Sequence, residues 1–411
     1  MAYPSWREWR HPLEFALLLG VAFVLPLREA PKNLLWLAYI LTWLVTRLRS
    51  REFGGRTDAS ELLLAGILIT GALSAAFGGI TRGDGNEWRA AADILRYGLL
   101  FVCVRRAGYD TGQKMLLLVM LVASAVLAEF EAIWNWKFAA TRQALELYSV
   151  GHVNHSAIYI AICLGIAAGL LAGFWRALVV WQRALLGAAT LTLLVGLFLG
   201  GSRAASAVGV LIILCSAMVA ARSARLGRLA WSAAGGVLVI AALVGGTGAL
   251  ERQIEWGTQS YSLAQRDLIW NRGLVAWREF PVFGTGMENY GHFAEADLQR
   301  WLAHQGRPYV KRDYAGSPHA HSLYLNTLIE RGVVGLAALL AFLAMVAAHL
   351  ARFRPVLADG GATVALWFAG VSAWLVTVLI GFANTTLHHE HAMLAMLAFA
   401  LALAARETPR R

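Results

Sequence analysis

Stretches of about 17–22 apolar residues recur along almost the whole chain, near 13–27, 33–48, 62–80, 91–104, 115–134, 157–174, 184–200, 205–221, 229–249, 332–351, 361–382 and 391–405. That repeat length is what most restricts the fold. At ~1.5 Å rise per residue, ~20 apolar residues cross the ~30 Å hydrocarbon layer of a bilayer. A soluble protein carries roughly a quarter charged residues; here 15% of 411 residues are charged and 58% are hydrophobic. The expectation is an all-α polytopic membrane protein of about twelve transmembrane helices, the first and fourth short or interrupted by Glu14, Asp93 and Arg96.

The first apolar run is followed by Arg28, Glu29 and Lys32 rather than by small residues, so it reads as a span and not as a cleaved signal. Cys103, Cys163 and Cys215 all fall in apolar segments and read as small buried hydrophobes.

A net charge of +11 raises the question of a nucleic-acid partner, but its placement points to topology instead. With the N-terminus in the cytoplasm, alternate short links hold Arg7/Arg10, Arg47/Arg49/Arg51/Arg56, Arg105/Arg106/Lys114, Arg176/Arg183, Arg222/Arg225/Arg228, Arg352/Arg354 and Arg406/Arg410/Arg411. Those are 19 Lys/Arg, against 7 in the opposing links: Arg28, Lys32, Arg82, Arg89, Lys137, Arg142 and Arg203. The positive-inside rule then places both termini in the cytoplasm of a bacterial inner membrane.

One polar stretch, 250–321, interrupts the apolar pattern after the ninth span, which puts it on the periplasmic side. The economical organisation is one transmembrane domain over 1–411 with this loop inserted between spans nine and ten. Its eight Lys/Arg run against the topology bias and ask for another explanation. Ser262 to Phe280 reads as an amphipathic helix with Trp270, Leu274 and Trp277 on one face, stopped by Pro281. A second helix is expected from about Glu288 to His304, with Phe293, Leu298, Trp301 and Leu302 against the membrane or the spans. A third, Ser322 to Arg331, leads into span ten.

Arg203, after Gly200-Gly201-Ser202 at the outer end of spans seven and eight, is either a snorkelling interfacial arginine or a ligand for a bulky anionic head group. Arg266, Arg272 and Arg278 lie at successive turns of the first loop helix; each is a solvated helix-face cation or part of a cradle for pyrophosphate, whose oxygens suit bidentate guanidinium. His319 and His321 are acid–base candidates, since neutral imidazole accepts a proton from a hydroxyl nucleophile. No Cys or carboxylate stands at metal-ligand spacing beside them, and no metal is expected there. His152/His155 and His388/His389/His391 form two more outer groups, read as helix-end caps or, for the second, as metal-like spacing.

Ser202-Arg203, Arg266-x-x-x-Trp270, Pro281-Val282-Phe283-Gly284-Thr285-Gly286, His319-Ala320-His321-Ser322-x-Tyr324-Leu325 and Glu330-Arg331-Gly332-x-x-Gly335 follow one another around the single long loop. Together they resemble the O-antigen ligase/polymerase superfamily over roughly 185–350, and the chain length resembles its ligases. Ser322 stands where many relatives carry Asn. The resemblance implies a GT-C-type glycosyltransferase of lipopolysaccharide biosynthesis. Such an enzyme moves a glycan from undecaprenyl pyrophosphate to a lipid A–core hydroxyl, with inversion and with neither metal nor cofactor. It further implies His321 as general base, Arg203 and Arg266 on the pyrophosphate, and His319, Arg272 and Arg278 in support. Implied partners are the lipid-linked donor, lipid A–core and membrane lipids, with no nucleic acid.

An O-antigen polymerase and a protein O-oligosaccharyltransferase use the same donor and differ in acceptor. A polytopic transporter, the alternative of another class, calls for internal repeats with paired broken helices, and no such repeat is evident in the chain.

Overall fold

The computed structural model describes residues 11–55, 57–80, 84–221, 235–236, 263–355 and 360–404. Among these no strand occurs, and eleven of the expected apolar segments form helices. They are α1 (Pro12–Val24), α2 (Glu29–Ser50), α3 (Ala59–Phe77), α4 (Asn86–Arg106), α5 (Thr111–Lys137), α6 (Val153–Phe174), α7 (Val180–Leu199) and α8 (Arg203–Ala221). After the loop helices α9 (Leu263–Glu279) and α10 (Glu295–His304) come α11 (Leu323–Arg352), α12 (Gly361–Leu375, continued by a π turn Val376–Ile380) and α13 (His389–Leu403). Six of them, α3, α5, α6, α7, α11 and α12 with its π turn, are long and apolar enough to cross a membrane. The expected span at 229–249, the loop start 250–262 and the basic positions Arg7, Arg10, Arg56, Arg82, Arg222, Arg225, Arg228, Arg406, Arg410 and Arg411 lie outside the described residues, apart from helical positions 235–236.

The helices start where side chains can take their free N–H groups. Asp58 accepts from Ser60 and Glu61 at the start of α3, and Asp110 with Gln113 closes a capping box on α5. A helix that is apolar all round belongs in the centre of a bundle. α6 is buried at every residue from Ser156 to Leu170, and α13 from Glu390 to Leu403. Gly165, Gly169 and Gly173 make a small-residue stripe on α6 at spacing four, and α12 lies directly on it: a Cβ there would overlap Ser372, Phe368 and the Gly361 carbonyl in turn. Such close approach is how membrane helices gain dispersion contacts that lipid cannot match.

Buried ion pairs stand at two well-separated levels of the bundle. Lys32, fully buried in the first turn of α2, pairs with Glu390 at the start of α13. At ~1.5 Å per residue, Arg47 lies ~22 Å further along α2, where it meets Glu14 at 3.4 Å, itself bonded by the Tyr109 hydroxyl at 2.8 Å. Arg105 pairs with Asp58 and Arg106 with Glu61 at the ends of α4 and start of α3.

The loop has its own core. Ile269, Val275, Tyr290, Phe293, Leu298, Trp301, Leu302 and Ile329 form a cluster separate from the main one. The aromatic face of α10, expected against the membrane or the spans, turns towards α9 and the start of α11, with Trp301 edge-on to Phe280 and Phe293. The second loop helix also begins later than expected. Glu288 takes a left-handed φ of 55°, and the Asn289 side chain donates to the Ile80 and Thr285 carbonyls, so residues 288–294 form turns.

α11 is bent at Gly332, whose φ of 65° and ψ of −169° no side-chain-bearing residue tolerates and whose missing Cβ admits the Val282 carbonyl. The bend frees the Ile329 and Glu330 carbonyls, which accept from Thr285 N–H at 2.8 Å and Gly286 N–H at 3.1 Å. On the other side of the 284–286 strip, the Gly284 and Thr285 carbonyls accept from Gly79 and Ile80 N–H, both at 3.0 Å. The Pro281–Gly286 and Glu330–Gly335 motifs thus act as the clasp that holds the loop to the bundle.

Candidate active site

The tract from Ser317 to Ser322 is pinned from several elements. The Trp270 indole of α9 donates to the Ala320 carbonyl at 2.9 Å, and Asn326 Oδ1 accepts from Ala320 N–H at 3.0 Å. Asn326 then donates to Glu330 at 2.9 Å. Ser322 caps α11 by accepting from Leu325 N–H, while Leu323 N–H donates to the Gly381 carbonyl at 2.7 Å. Asn is an equally good cap, so this position suits either residue. Between these anchors His321 is held at φ 49°, a left-handed conformation unusual for a non-glycine residue and commonest at functional sites.

His321 and His319 stand edge to face, ring centres 4.2 Å apart. The His321 N–H approaches His319 Nδ1 at 3.3 Å, which makes that nitrogen an acceptor and leaves the His319 proton on Nε2. Burial, then the positive fields of His319, Arg266 and His152, push the His321 imidazole down to about 4. His321 is therefore neutral at pH 7, as a base must be. His319 is lowered as well, chiefly by burial.

Arg266 is half-buried near the start of α9, its acidity raised by burial and by the nearby charge of Arg203, the first residue of α8. No carboxylate pairs with Arg266 among the described residues. Arg266 thus stands within electrostatic reach of Arg203 on α8 and of His321 at the loop end. The other two arginines do not join them. Arg272 lies over the Phe293 ring at 4.8 Å and donates to the Phe293 carbonyl, bracing the loop core. Arg278 is exposed in the last turn of α9, ~18 Å along the helix from Arg266 at ~1.5 Å per residue.

The two outer histidine groups lie beside this site rather than apart from it. His152 Nδ1 accepts from Asn154 N–H and so does cap α6. His155 lies 5.7 Å from His152 and 5.0, 6.2 and 6.0 Å from His391, His388 and His389, ring centre to ring centre. His391 bonds the Thr385 carbonyl through Nε2 at 3.1 Å. The fields of His152 and His388 reach His319, and that of His152 reaches His321. Seven imidazoles therefore ring the N-terminal ends of the two central helices, ends that carry partial positive charge. Among the described residues, no three His, Cys, Asp or Glu side chains are arranged to hold a metal ion. A cavity of about 310 Å³ opens beside His319 and His388.

Trp270 and Asn326 are the positioning groups that the sequence reading left without a role. Both stand inside quoted or adjoining motif positions, Trp270 four residues after Arg266 and Asn326 five after His321. The signal for Asn326 was its place one helical turn before Glu330, where its amide reaches both the tract and the helix.

Residues 188–340 match a family model described as O-antigen ligase. The match includes Arg203, Arg266, His319 and His321 and stops short of the His152 and His388 groups. No curated protein matches the chain.

Proposed function

We propose, on the match of residues 188–340 to the O-antigen ligase family model, that the protein is a membrane glycosyltransferase that transfers O-antigen from undecaprenyl pyrophosphate to a lipid A–core sugar. The observation that supports this reading is that Arg266 of α9 stands within electrostatic reach of both Arg203 of α8 and His321 at the loop end.

In the reaction, the acceptor hydroxyl gives its proton to His321 while its oxygen attacks the anomeric carbon of the donor. The bond from that carbon to the pyrophosphate oxygen breaks, and undecaprenyl pyrophosphate leaves with the electron pair. Attack opposite the leaving group inverts the anomeric centre. Pyrophosphate is already a good leaving group, so the protein chiefly positions the two substrates and stabilises the charge that develops. Arg203 and Arg266 supply fixed positive charge at that point, which makes the reaction metal-independent. A positioned base contributes about 10²–10⁴ in rate. The αL backbone at His321, clamped by Trp270 and Asn326, fixes the ring between donor and acceptor. We place the site on the periplasmic face of a Gram-negative inner membrane, with both termini cytoplasmic.

Purified protein in lipid nanodiscs, given lipid-linked glycan and lipid A–core in EDTA, is expected to form the joined product. Exchanging the acceptor for a second lipid-linked glycan or for a pilin-like protein separates ligase from polymerase and from protein transferase. Strict dependence on an added divalent metal sinks the metal-free mechanism.

A further inference from the structure

The cavity beside the histidines has a chemistry unlike that of the arginine side. It is a space of about 310 Å³ between α3, α4, α11 and the loop, at the lower end of the size range of small-molecule sites. Its polar lining includes Asp93 and Tyr97 of α4, Glu288 and His292 of the loop, His319 and His388. On the inner wall Glu330 accepts from Asn326 and from Tyr290 N–H, and Arg331 donates to the Ile67 carbonyl and the Thr70 hydroxyl of α3, its buried Nε having no partner among the described residues. Binding capacity therefore remains at Asp93 and Glu288, whose side chains are 42% and 46% exposed. One Asp93 oxygen lies 3.4 Å from Arg96, and one Glu288 oxygen lies 3.8 Å from His388. A carboxylate offers about four acceptor positions, so each keeps room for hydroxyl donors.

Vicinal hydroxyls are donors that a carboxylate pair grips well, an ammonium group still better, while a phosphate is repelled. Glu288, like His321, has a left-handed φ, here 55°, which carries its side chain into the cavity wall against α11 and His388. His319 lines the cavity, and His321, which does not, stands next to it at a ring spacing of 4.2 Å. We infer that this cavity seats the acceptor sugar, and that the sugar it takes is uncharged or amino-bearing and not phosphorylated. Separate groups then take the two substrates: Arg203 and Arg266, which do not line the cavity, take the pyrophosphate, and Asp93 and Glu288 take the hydroxyl-bearing ring. The word acceptor rests on the glycosyl-transfer reading; the sugar preference rests on the lining alone.

Two measurements on the full chain in nanodiscs test this. Saturation-transfer NMR without donor uses glucose, glucosamine and glucose 6-phosphate as probes, and steady-state transfer separates the KM values of donor and acceptor. Glucose or glucosamine is expected to bind, with glucose 6-phosphate weaker by about tenfold or more, as for a like-charge contact. The double variant Asp93→Asn/Glu288→Gln is isosteric at half-exposed positions. It is expected to raise the acceptor KM by about ten- to a hundred-fold, the worth of charged hydrogen bonds, while donor KM stays within about twofold. Equal binding of the phosphorylated probe, or an unchanged acceptor KM in the double variant, overturns the cavity assignment and leaves the transferase reading standing. Sugar binding of the expected pattern with no glycan transfer by the wild type overturns the transferase reading instead.

Discussion

His321→Asn sets function against stability in one residue. At φ 49° a side-chain-bearing residue is disfavoured by about 1–2 kcal/mol, and Asn by less because its short polar chain suits that region. The substitution relieves part of that strain. It also removes the edge-to-face contact with His319 at 4.2 Å, the kind of contact worth about 0.5–1.5 kcal/mol. The two nearly cancel, so the folded state is expected to change by less than ~1 kcal/mol. Loss of the base is far larger: about 10²–10⁴ in rate, or about 2.7–5.5 kcal/mol at ~1.36 kcal/mol per decade. His321→Ala removes the same base without the tolerance for positive φ and is expected to unfold at lower temperature than the Asn variant. The assays are glycan transfer in nanodiscs and thermal unfolding of both variants. Turnover of the Asn variant above about a tenth of wild type removes His321 as the base. Equal unfolding temperatures for Ala and Asn refute the strain.

Protonation of His321 abolishes its function, and its titration is depressed to about 4. The kcat/KM profile is therefore expected to hold level from neutral pH downward past the ordinary histidine range near 6.5 and to fall only as pH approaches about 4, which a pH–rate profile on the free enzyme checks; an acid limb near 6.5 contradicts the burial of this ring. Arg203→Ala and Arg266→Ala are each expected to lower kcat/KM for the donor by about 10²–10³, with the double variant losing less than the product because both serve one anion; titration of undecaprenyl pyrophosphate binding decides it, and normal affinity in both single variants rejects the cradle. Gly169→Leu drives a side chain into Phe368 across the α6–α12 contact and is expected to destabilise by about 1–3 kcal/mol or more, read as a fall in unfolding temperature. Trp270→Phe loses the bond to the Ala320 carbonyl and is expected to lower kcat by about tenfold with donor KM unchanged, measured by the same steady-state assay.

The positions of the helices were legible because span length and apolar run are local properties, dictated by bilayer thickness and by a backbone that must bond to itself. The 263–279 helix was equally legible from its 3.6-residue periodicity and from Pro281. The histidine tract and the arginines pointed, by residue type, to the candidate site. Periodicity could not tell what covers an apolar face: Phe293, Leu298, Trp301 and Leu302 suit lipid and protein alike, since acyl chains are as apolar as leucine, and only the fold turned them into the loop's own core. Nor could spacing say which cations meet. Arg266, Arg272 and Arg278 look alike along the chain, and the packing of α9 gave one to the site, one to Phe293 and one to solvent. The same holds for His155 and His391, more than two hundred residues apart and 5.0 Å from ring to ring. What the sequence determined by itself was which segments form apolar helices and which residue types each carries. The tertiary structure decided which helix ends share one face, because long-range contacts depend on how whole helices pack and leave no periodic trace in the chain.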